Sequence, residues 1–93
     1  MLFRSLTETD LSALPYYSIA RGNVDGVSGF FCRTGYTGED GFEVLVPATD
    51  AVKVFNSLLN LSIQPCGLAS RDTLRLEAGM PLYGHELNLN INP

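Results

Sequence analysis

Apolar and polar side chains alternate most clearly in the stretch FEVLVP, which begins at Phe42. In an extended chain Phe42, Val44 and Val46 share one face, whereas Glu43 and Leu45 point to the other. This period of two predicts a β-strand that ends at the proline.

Two earlier stretches are also typical of strands. YYSIA begins at Tyr16 and is followed by the turn-forming RGN, and VSGFFCRT begins at Val27 and is rich in aromatic and β-branched residues. A later stretch, IQPCGL from Ile63, contains a proline and is therefore predicted as a short edge strand. The order of these strands predicts a meander, and hence an antiparallel sheet.

The pattern changes to helical spacing after the third strand. Apolar positions three and four residues apart predict a helix that is capped by Thr49 or Asp50. The apolar positions on its predicted face are Ala51, Val54, Phe55 and Leu58.

Two further helices are predicted. A short one carries Leu11 and Leu14, follows the cap candidates TETD, and ends at Pro15. The last helix is predicted from a cap at Ser70 to a terminating Gly79. Helices segregated on one face of an antiparallel sheet define an α+β fold.

Composition and charge narrow the class of protein. The chain has 93 residues, enough for one domain at most, with 45% hydrophobic residues and a net charge of −4. Because nucleic acids and anionic membranes require clustered Lys and Arg, we expect neither as a partner. Cys32 and Cys66 belong to no paired motif and are predicted to be free thiols in a reducing compartment. We found no signal peptide and no run near the roughly 20 apolar residues of a membrane span, which favours a cytoplasmic or organellar protein.

The connection RTGYTGEDGFE, from Arg33 to Glu43, is the first candidate for chemistry. Hairpin connections usually have about two to five residues, and this one is longer. Its Tyr36 either packs onto its own domain or offers a stacking surface to a flat ligand. Glu43 is either a solvent-facing strand carboxylate or an inward one that accepts two hydrogen bonds from a planar N–H/NH2 edge.

The last predicted helix carries the second candidate. Arg71 and Arg75 lie four residues apart on one face, with Asp72 between them, and the simplest interpretation is a solvated face with local ion pairs. The glycines of the long connection match neither phosphate-binding fingerprint. No metal site is predicted, since His85 has no partner at metal-ligand spacing.

Two long motifs carry a resemblance. RTGYTGEDGFEVLVP, followed after a helix's length by PCGLASRDTLRLEAGMPLYGHEL, closely resembles the glycine cleavage system T protein (aminomethyltransferase) family. The resemblance implies part of a multi-domain, cloverleaf-like protein. Residues 1–79 would be part of its ferredoxin-like middle domain, and residues 80–93 would lead toward the rest of the parent chain.

The resemblance also implies an activity. The family's enzyme transfers a methylene unit from the aminomethyl-dihydrolipoyl arm of H protein to tetrahydrofolate, its co-substrate, and releases ammonia. The family's loop tyrosine falls on Tyr36, its pterin-binding glutamate on Glu43, and its folate-site arginine on Arg71, which follows Ser70 where alanine is common.

No catalytic residue can be assigned in this chain. The family's essential aspartate comes from a segment N-terminal to the sequence given, so we expect the 93 residues alone to be inactive.

Two alternatives share the architecture. One is the folate domain of a dimethylglycine- or sarcosine-oxidising flavoprotein. The other is a folate-binding iron–sulfur assembly factor, whose K-G-C-[YF]-x-G-Q-E signature does not occur here. A eukaryotic source would imply a mitochondrial location.

Overall fold

A computed structural model describes residues 5–91 of the chain. These residues form two compact units. The sheet unit comprises residues 5–35 and 40–65, and the helical unit comprises residues 36–39 and 66–91.

The sheet unit contains a three-stranded antiparallel sheet. Its strands are β1 (Ile19–Val24), β2 (Val27–Cys32) and β3 (Glu43–Leu45), in the spatial order β1-β2-β3. Strands β1 and β2 are joined by Asp25 and Gly26, whose φ angles of 48° and 78° are those that a tight two-residue hairpin requires.

The predicted end of the first strand at RGN is wrong. These residues lie inside β1, with Gly22 paired to Gly29 across the sheet. A Cβ atom at Gly22 would stand 2.6 Å from Cε2 of Phe31, so the aromatic ring occupies the space that a side chain would need. Glycine marks close packing here and not a turn.

Helix α1 (Ala51–Asn60) follows a single 3-10 turn, Ala48–Asp50. It confirms the predicted helix, and Val54 is buried as expected. The side chain of Phe55, predicted on the same apolar face, is not buried with Val54, since Phe55 is 53% exposed.

The predicted first helix is a short 3-10 helix, Leu11–Ala13. Its predicted cap is confirmed, because the Asp10 carboxylate accepts a hydrogen bond of 3.1 Å from the Ser12 amide. This turn and α1 bring apolar side chains to one face of the sheet, where they form the core. The buried members are Leu11, Leu14, Val24, Val27, Phe31 and Val54.

The helical unit is built on α2 (Leu68–Glu77). The predicted cap of this helix at Ser70 and the predicted edge strand before it are both wrong. The helix is preceded by Gly67 as its cap residue and already contains Ser70, and residues 63–67 form no strand in the part of the chain that the structure describes. The predicted end is confirmed, since Gly79 has a φ of 76° just beyond the helix.

The α+β class is confirmed by the antiparallel sheet and the two helices, and it is consistent with part of a ferredoxin-like domain. The predicted domain spans, 1–79 and 80–93, stay predictions, and both extend beyond the described residues. No helix among residues 5–91 is long and apolar enough to cross a membrane.

Candidate functional site

The long connection is closed at its base by an ion pair within the sheet unit. Nε and Nη2 of Arg33 each lie 3.3 Å from a carboxylate oxygen of Asp40, and Nη1 donates to the carbonyl of Leu14 at 2.6 Å. A guanidinium that faces a carboxylate through two nitrogens fixes direction as well as distance. The Asp40 carboxylate therefore anchors the base of the loop.

The middle of the connection, residues 36–39, belongs to the helical unit. The Tyr36 hydroxyl donates a hydrogen bond to the carbonyl of Pro81. Gly38 has a φ of 76°, and a Cβ atom there would lie 2.7 Å from Cβ of Ala78. Glycine is thus required at this position both by the backbone and by the approach to α2.

Arg71 is the fourth residue of α2, and its guanidinium carbon lies 5.1 Å from the centroid of the Tyr36 ring. This is the geometry of a cation–π contact. Within residues 5–91 no carboxylate forms an ion pair with Arg71, which is exposed. Its N–H donors are therefore available to a ligand's oxygen atoms.

Two cavities adjoin this pair, both formed within the helical unit. The first has a volume of about 260 Å³. It is lined by Tyr36, Leu68, Arg71, Asp72, Arg75, Leu82 and His85. The second, of about 400 Å³, shares Leu68 and Arg71 with the first and extends to Thr37 and Leu74. Small-molecule sites occupy roughly 300–1,000 Å³, so the first cavity is slightly below this range and the second lies in its lower part.

Arg75 forms the electrostatic centre of the helical unit. Its residue surface is 2% exposed, which contradicts the predicted solvated face. Its nitrogens donate to Asp72 Oδ1 at 2.8 Å, to Glu86 Oε1 at 2.7 Å and to the Met80 carbonyl at 3.2 Å. A buried guanidinium needs such partners, because an unpaired charge there would be strongly destabilising.

The Glu86 carboxylate is shared between this arginine and the backbone. Its second oxygen accepts a hydrogen bond of 2.9 Å from the Leu82 amide. The hydrogen bond from Arg75, and then that from Leu82, lower the pKa of the Glu86 carboxyl to about 2. In turn, the hydrogen bonds to Glu86 and then to Asp72 raise the pKa of Arg75.

Glu43 lies in the sheet unit, as the first residue of β3, paired with Cys32. It is exposed, whereas Val44 beside it packs against the core. Its face of the sheet also carries Phe30 and Leu45, which are 39% and 52% exposed. Glu43 is thus a carboxylate on a partly apolar, open sheet face.

The structure brings together Tyr36 and Arg71, two of the three predicted site residues, while Glu43 is in the other unit. Sequence reasoning missed Glu86 and underestimated Arg75. The spacing of Asp72 and Arg75 signals a local ion pair. Nothing in the spacing pointed to Glu86, which lies 11 residues beyond Arg75.

The fold and this site define an α+β protein with a ligand-sized cavity beside its last helix. The family model of the GCVT N-terminal domain matches residues 1–93, and the chain therefore belongs to this family.

Curated relatives agree with this assignment. The aminomethyltransferase of Streptomyces avermitilis is 52% identical to this chain over 96 residues, and that of Alkaliphilus metalliredigens is 50% identical over 97 residues. Both alignments cover 99% of this chain and 26% of the relative. The aminomethyltransferase of Corynebacterium aurimucosum is 56% identical over 84 residues, or 86% of this chain and 23% of the relative.

These relatives are enzymes by name, and the predicted family is confirmed. The chain spans about a quarter of the length of the curated relatives it matches.

Proposed function

We propose that this chain supplies part of the tetrahydrofolate site of an aminomethyltransferase of the glycine cleavage system. In the proposed reaction, a methylene unit passes from the aminomethyl-dihydrolipoyl arm of H protein to tetrahydrofolate, and ammonia is released. The observation that carries the proposal is the Arg71–Tyr36 pair beside a cavity, in a chain about half identical to named aminomethyltransferases.

The residues at the cavity suit a pterin chemically. The Tyr36 ring is an aromatic surface whose hydroxyl is already bonded to Pro81, so the ring is held in place for stacking. Arg71 has no carboxylate partner among the described residues and presents donors to oxygen atoms of a ligand. A cavity of about 260 Å³ has room for a ring system, while a longer tail would extend beyond it.

Glu43 is the third proposed folate contact, and its case rests on the resemblance and on its exposure. A carboxylate accepts two hydrogen bonds from a ring N–H and an adjacent exocyclic amine, which a pterin offers side by side. The proposal makes no use of Glu39 or Asp40, because Asp40 is engaged by Arg33.

None of the 93 residues is proposed as catalytic. We assign the acid that acts at the folate nitrogen to sequence outside this chain, as the family resemblance implies. Accordingly, the proposed activity belongs to the full-length enzyme, with residues 1–79 in its middle domain and 80–93 leading out of it. A cytoplasmic location, or a mitochondrial one in a eukaryote, is part of the same proposal.

The test is a steady-state assay of the full-length aminomethyltransferase that carries this sequence. Ammonia release is measured with aminomethyl-loaded H protein over a range of tetrahydrofolate concentrations. We expect Arg71→Gln to raise the KM for tetrahydrofolate roughly 10- to 100-fold, the effect of one lost charge-assisted hydrogen bond. The KM for H protein should stay unchanged.

Lys53→Gln is the matched control, because it removes an exposed cation from α1 without touching either cavity. It should leave both KM values at the wild-type level. Ammonia release that does not depend on tetrahydrofolate would refute the proposal, as would an Arg71→Gln enzyme with the wild-type KM.

A further inference from the structure

The segment that follows α2 is held to the helix by one buried side chain. Met80 donates its amide to the Arg75 carbonyl at 2.9 Å, and its own carbonyl accepts from Nη1 of Arg75 at 3.2 Å. The same Nη1 bonds Glu86 at 2.7 Å. One guanidinium therefore fixes both ends of the stretch from residue 80 to residue 86.

The stretch is also closed internally through Glu86. This carboxylate accepts from the Leu82 amide at 2.9 Å, and the His85 amide donates to the Leu82 carbonyl at 3.0 Å. Leu82 and His85 both line the cavity that Tyr36 and Arg71 line. The hydrogen bonds of Arg75 and Glu86 thus determine where one part of the cavity wall stands.

The hydrogen bonds of Arg75 and Glu86 depend on the shapes of these two side chains and not only on their charges. The side chain of Arg75 is 3% exposed and has three acceptors. Nε and Nη2 face Asp72 Oδ1, while Nη1 donates to both the Met80 carbonyl and Glu86 Oε1. A planar guanidinium has the rigid fork of donors for this, whereas a lysine ammonium is a single point charge. The carboxylate of Glu86 likewise needs both oxygens, one for Arg75 and one for Leu82.

We propose that Arg75 and Glu86 are positioning residues for the folate cavity: together they hold Leu82 and His85 in place as its wall. This inference rests on the proposed function. A wall that is already ordered spares a ligand the cost of ordering it, so the effect should appear in ligand affinity. Neither residue is assigned a part in the transfer step.

The experiment separates positioning from simple stability. In the full-length enzyme, Glu86→Gln should raise the KM for tetrahydrofolate on the order of tenfold, since displacement of a cavity wall weakens binding. The kcat at saturating tetrahydrofolate should be unchanged, because the lost interaction affects binding of substrate and transition state equally. A purely structural role would have the opposite signature, with fewer active molecules, a lower apparent kcat and an unchanged KM.

Two further variants complete the series. Glu86→Asp keeps the charge but is one methylene shorter, so it cannot span Arg75 and Leu82, and its KM should lie between those of wild type and Glu86→Gln. Glu77→Gln makes the same chemical change at an exposed carboxylate at the end of α2, away from the cavity, and both constants should stay at wild-type values.

The outcomes distinguish the two proposals. A wild-type enzyme without tetrahydrofolate dependence refutes the proposed function, and this inference with it. A folate-dependent wild type combined with an unchanged KM in Glu86→Gln refutes the positioning role alone. Because KM is independent of the folded fraction, partial unfolding of a variant does not obscure the result.

Discussion

The guanidinium carbon of Arg71 lies 5.1 Å from the centroid of the Tyr36 ring. The tyrosine comes from the connection between β2 and β3, and the arginine from α2, so two segments distant in sequence meet at one cavity. The hydrogen bond from Tyr36 to Pro81 gives the ring a second fixed point. Tyr36 offers an aromatic surface, and Arg71 has no carboxylate partner among the described residues. Together they suit a flat ligand that carries oxygen atoms.

The two contacts of Tyr36 can be separated by substitution. Tyr36→Leu removes the ring and the hydroxyl, and we expect tetrahydrofolate binding to weaken by about 0.5–1.5 kcal/mol, the size of one aromatic stacking contact. Tyr36→Phe keeps the ring and loses only the bond to Pro81, so most of the affinity should remain. A ligand titration of the full-length enzyme measures both. Equal losses in the two variants would show that the hydroxyl, and not the ring, matters.

Glu43 is predicted to affect ligand affinity but not stability. Glu43→Gln should weaken tetrahydrofolate binding by about 1.5–3 kcal/mol, because an amide cannot accept two hydrogen bonds from a pterin edge with the strength of a carboxylate. The free energy of unfolding should change by no more than about 0.5 kcal/mol, since the side chain is exposed. Titration beside thermal unfolding gives both numbers.

Glu39→Gln, an exposed carboxylate of the same connection, is the control for Glu43 and should change neither quantity. If Glu43→Gln lowers stability and leaves affinity intact, Glu43 is a structural residue of the sheet and not a folate contact.

Local patterns predicted the elements whose signals are local. The alternation around Val44 and the spacing around Val54 both depend on one packed face. As expected, Val54 is buried in the core and Val44 packs against it. The sequence-based predictions are wrong where the structural role of a residue depends on a partner that is distant in sequence. The sequence RGN predicts a turn at Gly22, because no neighbouring residue indicates that the Phe31 ring packs against this position.

The candidate site shows the same limit more strongly. The family resemblance identifies Tyr36, Glu43 and Arg71 as site residues, whereas their spacing in the sequence does not determine their roles. The helical spacing predicts a surface position for Arg75, because arginine side chains on helices are usually exposed. Its burial requires acceptors on two sides, and Glu86 comes from an irregular segment whose path no periodicity describes.

Gly38 provides a test of how closely the loop approaches α2. Gly38→Ala should destabilise the fold by at least about 1–2 kcal/mol, the cost of a left-handed residue with a side chain, and more if the clash with Ala78 is not relieved. Gly35→Ala is the control, since a Cβ atom there meets nothing within 4 Å and its φ is not positive. Chemical denaturation measures both.

A second substitution separates the two causes at Gly38. In an Ala78→Gly background the steric part disappears, so Gly38→Ala should cost less there than in the wild type, with only the backbone part remaining. Equal costs in the two backgrounds would mean that the loop does not approach α2 as closely as described.

The Arg75–Glu86 pair makes stability depend on acid pH. The pKa of Glu86 is lowered from 4.5 to about 2 in the folded chain, so the folded state holds the carboxylate charged where the unfolded state begins to bind a proton. The stabilisation is therefore fully present above pH 4.5 and is lost as the pH falls through about 2. Thermal unfolding between these two pH values should show a falling midpoint in wild type.

The Glu86→Gln variant has no carboxyl group at this position to titrate. Its thermal unfolding midpoint should therefore be lower than that of wild type at neutral pH, and it should change less between pH 4.5 and 2. Glu77→Gln removes a carboxylate from the same helix end without touching the pair, so it should keep the wild-type slope. A Glu86→Gln curve parallel to that of wild type would mean that the carboxylate is not paired with Arg75 in solution, and the wall that we derive from this pair would have no anchor.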